Sequence, residues 1–531
     1  MFDTLIKNGT IIDGTRKPKY VGDIAIKDGL IAALGDLHNE TAHTVIDARG
    51  MFVCPGFIDV NNHSDTYWRI FDGPGLESMV RQGVTTIIGG NCGSSLAPLA
   101  NHDSIKSIQR WIDVSKISFN WLSMKDFLKE VGKKRLPINF GTLVGHATLR
   151  RGIMGDELRD MEEAELDKMK HMLSRAMKEG ALGLSTGLAY SHAKLSSIHE
   201  LVELARVVEK KGGVYATHMR SEDEDLLPAI EEAIEVSRQS GAKLQISHLK
   251  VMNEGNWHLM REALEKIESA RMDGIMVDFD IYPYTTTGSV LYIALPEWVS
   301  RGGRSLMLAR LKDPALRERI MREMHESKYD YSKISVSISA MDRSLVRRRV
   351  VDIAQSQNKA VEEVILDLLL ASDGRVITMM DVLSEENIRL GIMNPFSMIC
   401  SDGSGYDVEH KKSGEMVHPR NFGSFPRVLA RYVRDREFVS WEEAIHKMTA
   451  YPAEKFQLVG RGKLEKGAHA DVVIFNPESI SDMATSGNPY QYPVGMQYVL
   501  VNGTTILHGE RYDASRGTGE VLRRKPSLFE F

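Results

Sequence analysis

Imidazole, thiol and carboxylate side chains follow short apolar runs at widely separated points of this 531-residue chain. His218 and His248 end two such runs, Cys92 follows a third, and Asp402 follows the last. Zinc in proteins takes His nitrogen and Cys sulfur, lowers the pKa of a bound water to about 7 and keeps one position open in catalytic sites. If the fold brings these side chains together, they predict a zinc-dependent hydrolytic centre.

Each of these residues also has a simpler interpretation when it is taken alone. A single His at a strand end is usually hydrogen-bonded structure, and a single Cys is usually a small buried side chain. Asp402-Gly403 is also a common turn pair, and Lys250 alone reads as a solvated charge. The joint occurrence of these residue types at matching strand ends favours a functional site, provided that the strand assignment is right.

Eight short apolar runs alternate with longer amphipathic stretches through the middle of the chain. One of the amphipathic stretches is 222–239, which places its apolar residues mostly on one face of a helix. Eight β/α units predict an α/β protein with a (β/α)8 TIM-like barrel, whose active site lies at the carboxyl ends of the strands. The runs are 56–59, 85–89, 139–144, 181–185, 214–217, 244–247, 276–280 and 397–401.

Both ends of the chain read as short strands with turns, which predicts one small β-sandwich domain built from the two termini. We assign 1–54 and 451–531 to this domain and 55–450 to the barrel. The stretch of about 290–345 does not fit a single helical connection between two barrel strands. We therefore expect it to be an insertion over one mouth of the barrel.

The composition is that of an ordinary globular protein and narrows the class of partner. The net charge is −5 and the isoelectric point about 6.4, which argues against nucleic acid as a partner. Three cysteines are too few for a disulfide framework and suggest a reducing compartment. With no signal-peptide or membrane-span pattern, we expect a cytoplasmic protein without a membrane partner; an oligomer stays open.

Several segments of the chain resemble the amidohydrolase superfamily and, within it, the D-aminoacylase (N-acyl-D-amino-acid deacylase) family. The similarity runs in order from about residue 2 to 510. The Asn-Cys-Gly and His-Pro-Arg segments are specific to the family, whereas Pro-Gly-Phe-Ile-Asp is shared across the superfamily. The matching segments include Pro55-Gly56-Phe57-Ile58-Asp59, Gly90-Asn91-Cys92-Gly93, Thr217-His218-Met219-Arg220-Ser221-Glu222, Gln245-Ile246-Ser247-His248-Leu249-Lys250, Tyr282-Pro283-Tyr284, Ser401-Asp402-Gly403 and His418-Pro419-Arg420.

The resemblance implies a zinc ion held by Cys92, His218 and His248. Members of the superfamily usually have His-x-His after the first strand, and here those positions are Asn61 and His63. An amide is a weak neutral ligand, so we expect one tight zinc ion and at most a poor second site that would use His63.

The resemblance also implies roles for the residues around the metal. Asp402 would be the general base and then the general acid, with His63 as a candidate for stabilising the tetrahedral oxyanion. Lys250 and Arg420 would hold the substrate carboxylate, since Lys offers a point charge and Arg a planar fork. Tyr282 would assist them.

The expected function is zinc-dependent hydrolysis of the amide bond of an N-acyl-D-amino acid or a related peptide-like small molecule. One alternative is a cyclic amidase related to hydantoinases and dihydroorotases, which bridge two metals with a carboxylated Lys after strand four. Here that strand ends in Leu184-Ser185-Thr186-Gly187 without a Lys. The other alternative is a non-catalytic protein of the same fold, for which Asn61 is the argument.

Overall fold

The computed structural model describes residues 1–524 except 110, 156, 158, 191, 192, 328, 329 and 340–342, and in this part of the chain eight parallel strands form the central layer. The third of them is interrupted for one residue, Leu143, and a parallel bridge from Asn62 to Gly403 joins the last strand to the first. All eight predicted runs are strands, in the order that a (β/α)8 barrel requires. Their bounds are Phe57–Asp59, Val84–Gly89, Asn139–Thr142 with Val144–Gly145, Gly183–Gly187, Val214–His218, Lys243–Ile246, Val277–Ile281 and Ser397–Ile399.

Amphipathic helices follow the barrel strands and cover them. Ile198–Lys210 is representative, because Ser197 caps its amino end and Leu201, Leu204 and Val208 recur every three or four residues on the buried side. Among the described helices, no stretch combines the length and hydropathy that a transmembrane span needs. The α-helices of the barrel region are Arg69–Asp72, Glu77–Val80, Met124–Lys133, His146–Met154, Glu163–Lys178, Ile198–Lys210, Leu226–Ser240, Leu259–Met272, Glu385–Met393, Arg420–Arg427, Trp441–Met448 and Ala450–Lys455.

The segment between the seventh and eighth barrel strands forms a subdomain with its own sheet. Within the residues described there, Val376–Asp381 pairs antiparallel with both Thr286–Val290 and Ile334–Ser339. The inserted unit therefore runs from 286 to 381, beyond the predicted 290–345, because its middle strand comes last in the chain. Its helices are Glu297–Ser300, Gly303–Lys312, Pro314–Glu326, Val350–Gln357 and Val361–Ala371.

The two ends of the chain meet in one sheet, as the strand pattern predicts. Phe52–Pro55 from the amino-terminal part pairs with Val472–Phe475 from the carboxyl-terminal part. The sheet encloses a separate core of aliphatic side chains from both ends. The assignment of 1–54 and 451–531 to one domain stays a prediction. The other strands of the sheet in the described residues are Phe2–Ile11, Tyr20–Lys27, Leu30–Gly35, Ala42–Asp47, Met496–Val501, Thr504–His508 and Arg511–Tyr512.

A buried polar network ties the carboxyl-terminal segment to the barrel. Arg461 forms an ion pair with Asp471 and contacts Glu520 at 2.7 Å. Asn139, in the third barrel strand, donates from Nδ2 to the same Asp471 carboxylate at 3.1 Å. After the last strand of the sheet the chain runs along the barrel, where Leu522 N donates to Phe140 O at 2.7 Å.

We predict that Arg461→Met lowers the free energy of unfolding by about 3–5 kcal/mol, because it leaves the buried Asp471 carboxylate without its cation. Urea unfolding followed by circular dichroism measures this loss. Arg511→Met is the matched control, since Arg511 is exposed in an edge strand. A loss below about 1 kcal/mol for Arg461→Met would show that the Arg461–Asp471 ion pair contributes little to stability.

Candidate active site

A cavity with about 1130 Å³ of empty space opens at the carboxyl ends of the barrel strands. Cys92, His218, His248 and Asp402 all line it, and so does Arg420. These residues are far apart in the sequence, at a strand end, in the loops after three other strands and at the start of a helix, and the barrel brings them to one place.

Three of the predicted metal ligands present their donor atoms to a common point. Cys92 Sγ lies 3.4 Å from His248 Nε2, and His218 Nδ1 lies 2.9 Å from the same nitrogen. The three donor atoms are all within 4.8 Å of one another. Around a tetrahedral zinc with bonds of about 2.0–2.3 Å, donors stand roughly 3.3–3.6 Å apart. The set therefore fits zinc in donor type, and the Cys92–His248 spacing fits as well, whereas the two imidazole nitrogens would have to move apart by about 0.4 Å.

The thiol of Cys92 has the electrostatic surroundings of a thiolate ligand. Burial raises its pKa, but the neighbouring imidazoles, that of His248 first, lower it by more and leave it well below its ordinary value. The other two cysteines differ, because burial alone raises the pKa of Cys54, and the nearby Asp280 adds to burial at Cys400. Of the three thiols, Cys92 is the one with the character of a metal ligand.

Three of the site residues adopt left-handed backbone shortly after a barrel strand. The φ angles are 51° at Cys92, 38° at His248 and 47° at Asp402. Left-handed backbone at a non-glycine residue costs of order 1–3 kcal/mol and persists only when surrounding contacts determine it. Gly93, also left-handed, is required beside Cys92, because an added Cβ would lie 2.7 Å from Gly187 N.

A buried aspartate holds each of these three turns through a backbone amide. Asp65 Oδ2 accepts from Gly90 N at 2.7 Å, Asp280 Oδ1 from His248 N at 2.8 Å, and Asp59 Oδ1 from Ser401 N at 2.9 Å. Burial is the main cause that raises the pKa of Asp59 and of Asp65 to about 6 and also raises that of Asp280. None of the three was singled out by sequence reasoning. The available signal was a carboxylate placed within or directly after a buried apolar strand.

Glu222 is a further residue that sequence reasoning missed. It lies four positions after His218, and its Oε2 is 3.8 Å from His218 Nε2. Its Oε1 is 2.9 Å from His248 Nδ1. One carboxylate thus faces both imidazoles on the side away from the donor cluster. Carboxylates in this position fix the tautomer and orientation of metal-binding histidines.

Lys250, predicted to hold a substrate carboxylate, lies in the cavity next to Glu222. Its Nζ donates to Glu222 Oε1 at 2.6 Å and stands 2.8 Å from His248 Nδ1. Although burial opposes it, the Lys250 ammonium, followed by the two imidazoles, holds the pKa of Glu222 well below its usual range. Part of the positive charge of Lys250 is therefore neutralised by the protein itself.

Asp402, the predicted proton carrier, sits between an imidazole and a guanidinium. His63 Nε2 is 3.0 Å from its Oδ1, and Arg420 Nη1 is 2.6 Å from its Oδ2. Burial opposes ionisation, but Arg420 and the imidazoles hold the pKa of Asp402 well below its usual range. Burial lowers the pKa of His63, whereas its hydrogen bonds to Asp402 and Cys92 raise it to about 10.

Arg420 and Tyr282 lie together, as expected of residues that bind one group. The guanidinium carbon of Arg420 stands 4.9 Å from the ring centre of Tyr282. Within the described part of the chain, the buried Tyr282 hydroxyl and Arg420 Nε form no hydrogen bond. Buried donors in this state are available to a ligand.

Asn61 is fully buried below the donor cluster and is tied to a neighbour. Its Nδ2 donates to Asp280 Oδ1 at 3.1 Å, and its Oδ1 accepts no hydrogen bond from the described residues. A second set of donors, formed by His63, Cys92 and Asp402, also lies within 4.8 Å. Cys92 belongs to both sets.

Comparison with known proteins identifies the family of this chain. The model of the amidohydrolase family matches residues 44–279 and 408–507. A D-aminoacylase from Alcaligenes xylosoxydans xylosoxydans is 34% identical over 98% of each chain. These matches confirm the family resemblance found in the sequence.

Two solved structures share the whole fold. N-acyl-D-glutamate deacylase from Bordetella bronchiseptica, complexed with zinc and a phosphonate that mimics the tetrahedral intermediate, has a TM-score of 0.83 and 31% identity, covering 98% of this chain and 99% of its own. A D-aminoacylase described as having a binuclear metal centre has a TM-score of 0.84 and 31% identity, covering 99% of this chain and 100% of its own. The predicted barrel fold is confirmed.

We predict that Glu222→Gln weakens zinc binding about 10- to 100-fold, because the neutral amide no longer places a negative charge beside the imidazoles of His248 and His218. Competition with a chromogenic chelator measures the change in zinc dissociation constant. Glu224→Gln, an exposed neighbour, is the matched control. Unchanged zinc affinity in Glu222→Gln would mean that this carboxylate does not orient the two histidines.

Proposed function

The chain belongs to the amidohydrolase family, and from this membership and the site we propose that it is a zinc-dependent hydrolase of N-acyl-D-amino acids. The observation that carries the proposal is the convergence of the Cys92, His218 and His248 donor atoms beside the Asp402 carboxylate. The products are a carboxylic acid and a D-amino acid. The substrate is a small molecule, which the enclosed cavity accommodates.

The relatives support the reaction and the choice of D configuration. The D-aminoacylase and the N-acyl-D-glutamate deacylase are similar to this chain over nearly its full length. In the latter, zinc and a tetrahedral phosphonate mimic occupy the protein together. Amide hydrolysis passes through a tetrahedral oxyanion, so a site that binds such a mimic is built for this reaction.

We propose one tight zinc ion on Cys92, His218 and His248. His63, Cys92 and Asp402 would form a second and weaker site, since Asn61 contributes no imidazole to it. The similar D-aminoacylase is described as binuclear, with activation by one metal and attenuation by the second. Replacement of an imidazole by an amide fits an enzyme that works with the first metal alone.

Zinc, when bound, supplies a Lewis acid that lowers the pKa of water at its open position to about 7 and polarises the amide carbonyl. Asp402 accepts a proton from the attacking water as the oxygen–carbon bond forms. It then gives that proton to the leaving nitrogen as the carbon–nitrogen bond breaks. The contact with His63 at 3.0 Å holds the carboxylate in place for both transfers.

Arg420 and Lys250 position the α-carboxylate of the substrate. Arg420 has a buried Nε without a hydrogen-bond partner among the described residues, so its planar fork has a donor to offer. The ring of Tyr282 lies against the guanidinium, and its buried hydroxyl is a neutral donor without a hydrogen bond to the described residues. The carboxylate and the carbonyl fix two points of the substrate, and the part of the cavity wall that receives the side chain would supply the third contact needed to choose D over L.

We predict that Cys92→Ala loses stoichiometric zinc while the fold persists. The wild-type protein should hold about one tightly bound zinc per chain after dialysis, as measured by plasma mass spectrometry with circular dichroism as the test of folding. Cys54→Ala is the matched control, because Cys54 is buried in the core without an imidazole beside it. Full zinc content in Cys92→Ala would refute the proposed ligand set.

We predict that Asp402→Asn lowers kcat about 10²- to 10⁴-fold with zinc retained, because the amide cannot carry the proton. Steady-state hydrolysis of N-acetyl-D-methionine, followed by release of the free amine, measures the change. Asp407→Asn is the control, since Asp407 caps a nearby turn without lining the cavity. Turnover within a few-fold of wild type in Asp402→Asn would remove Asp402 as the proton carrier.

A further inference from the structure

A second cavity, with about 650 Å³ of empty space, lies between the barrel and the inserted subdomain. Lys106 and Arg151 line it on the barrel side, and Arg304 and Arg375 line it on the side of the subdomain. The described residues around it include none of those assigned to zinc binding or hydrolysis. We call this space the seam cavity, and it is distinct from the cavity of the reaction centre.

Every charged side chain in the described lining of the seam cavity is a cation. The aspartates that pair with Lys106, Arg304 and Arg375 lie outside the lining. The partners of Lys106 and Arg304 are more than half exposed, and ion pairs of this kind contribute little free energy. These two cations can therefore turn to an anion inside the cavity at small cost.

Arg375 has a buried donor that the protein does not use. Its Nη1 contacts Asp113 Oδ2 at 3.0 Å, but its buried Nε has no hydrogen-bond partner in the described part of the chain. Buried donors without a partner are rare in proteins. Among the described residues, Arg420 is the only other arginine with such a nitrogen, and it lies in the reaction cavity. By the same argument, Arg375 Nε is available to an acceptor on a ligand in the seam cavity.

The amino end of the helix Gly303–Lys312 borders the same space. Gly303, Arg304 and Met307 line the cavity, and no side chain of the described residues caps this helix end. Free backbone N–H groups and the helix dipole favour an anion there. Gly374 has a φ of 74°, and an added Cβ would lie 2.9 Å from Met307 Cε and 3.2 Å from Arg304 Cγ. Glycine thus lets the two cationic segments of the subdomain pack closely at the cavity.

The lining favours a phosphate group over a carboxylate. Three guanidinium groups and one ammonium group offer more donors than the two oxygens of a carboxylate can accept. A phosphate monoester presents three strong acceptor oxygens and close to two negative charges, which suits cations on two opposite walls. Ala147, Tyr292 and Met307 add apolar surface beside the cations, and an apolar group on the phosphate would cover it.

We propose that the seam cavity binds a small phosphate monoester of an apolar or aromatic group, with its phosphate between the cations of the barrel and those of the inserted subdomain. Such a ligand ties the subdomain to the barrel. Tyr292 lines the seam cavity and the adjacent Ile293 lines the reaction cavity, so the two spaces lie on either side of one segment. The inference goes beyond the proposed function and does not depend on it.

The first experiment is calorimetric titration of the zinc-loaded, full-length protein with phenyl phosphate, inorganic phosphate and phenol. We expect phenyl phosphate to bind with a Kd of about 0.1–1 mM, as befits so small a ligand, and inorganic phosphate to bind about 10-fold more weakly. A Kd for phenyl phosphate above about 10 mM would overturn the proposal. Binding of phenol as tight as that of phenyl phosphate would overturn the role of the cations.

The second experiment uses variants of the lining, with circular dichroism as the test of folding. We expect Arg375→Met to weaken phenyl phosphate binding by at least about 10-fold and Lys106→Met by about 3- to 10-fold, because each removes a charged donor. Lys116→Met is the matched control for the loss of one charge and should stay within about twofold. Lys116 is exposed and pairs with Asp113 as Arg375 does, but it does not line the cavity.

One further variant separates the seam cavity from the reaction centre, whose cations and zinc also attract phosphate. We expect Arg420→Met to retain binding of phenyl phosphate, since Arg420 lines the reaction cavity and not the seam cavity. Loss of binding in Arg420→Met, with full affinity in Arg375→Met and Lys106→Met, would place the phosphate at the reaction centre and overturn the proposal. That outcome would leave the proposed hydrolysis intact.

Discussion

Three left-handed turns at the mouth of the barrel are the constraint on which the site depends. Cys92, His248 and Asp402 lie two or three residues after a barrel strand, and each has a positive φ. Buried aspartates accept hydrogen bonds from backbone amides in the same turns and so stabilise the strained backbone. The barrel framework thus holds the backbone of these three turns.

The charged side chains behind the donor cluster compensate one another. The Glu222 carboxylate faces the imidazoles of His218 and His248 together, and Lys250 compensates its charge. A buried carboxylate without a cation would be costly, and a buried Lys beside two imidazoles would be equally so. Grouped in this way, the charges orient the histidines and leave Arg420 as the cation with an uncommitted donor for a substrate.

Sequence reasoning found the parts of this site that follow from local pattern. Short apolar runs with His, Cys or Asp at their ends predicted both the barrel and the donors, because parallel strands bring their carboxyl ends to one face. It could not find Glu222, whose role depends on a loop that folds back over the histidines. Nor could it find the last strand of the inserted sheet, Val376–Asp381, because that strand pairs with partners far back in the chain. The aspartates at 59, 65 and 280 were detectable as buried charges in need of partners, but their partners were not.

The central claim is that one zinc ion binds between Cys92, His218 and His248 and serves amide hydrolysis there. X-ray absorption at the zinc edge, on protein loaded with one equivalent of metal, tests it most directly. The account predicts one sulfur at about 2.3 Å and two imidazole nitrogens at about 2.0–2.1 Å, completed by a light oxygen or nitrogen atom. A first shell without sulfur would contradict it.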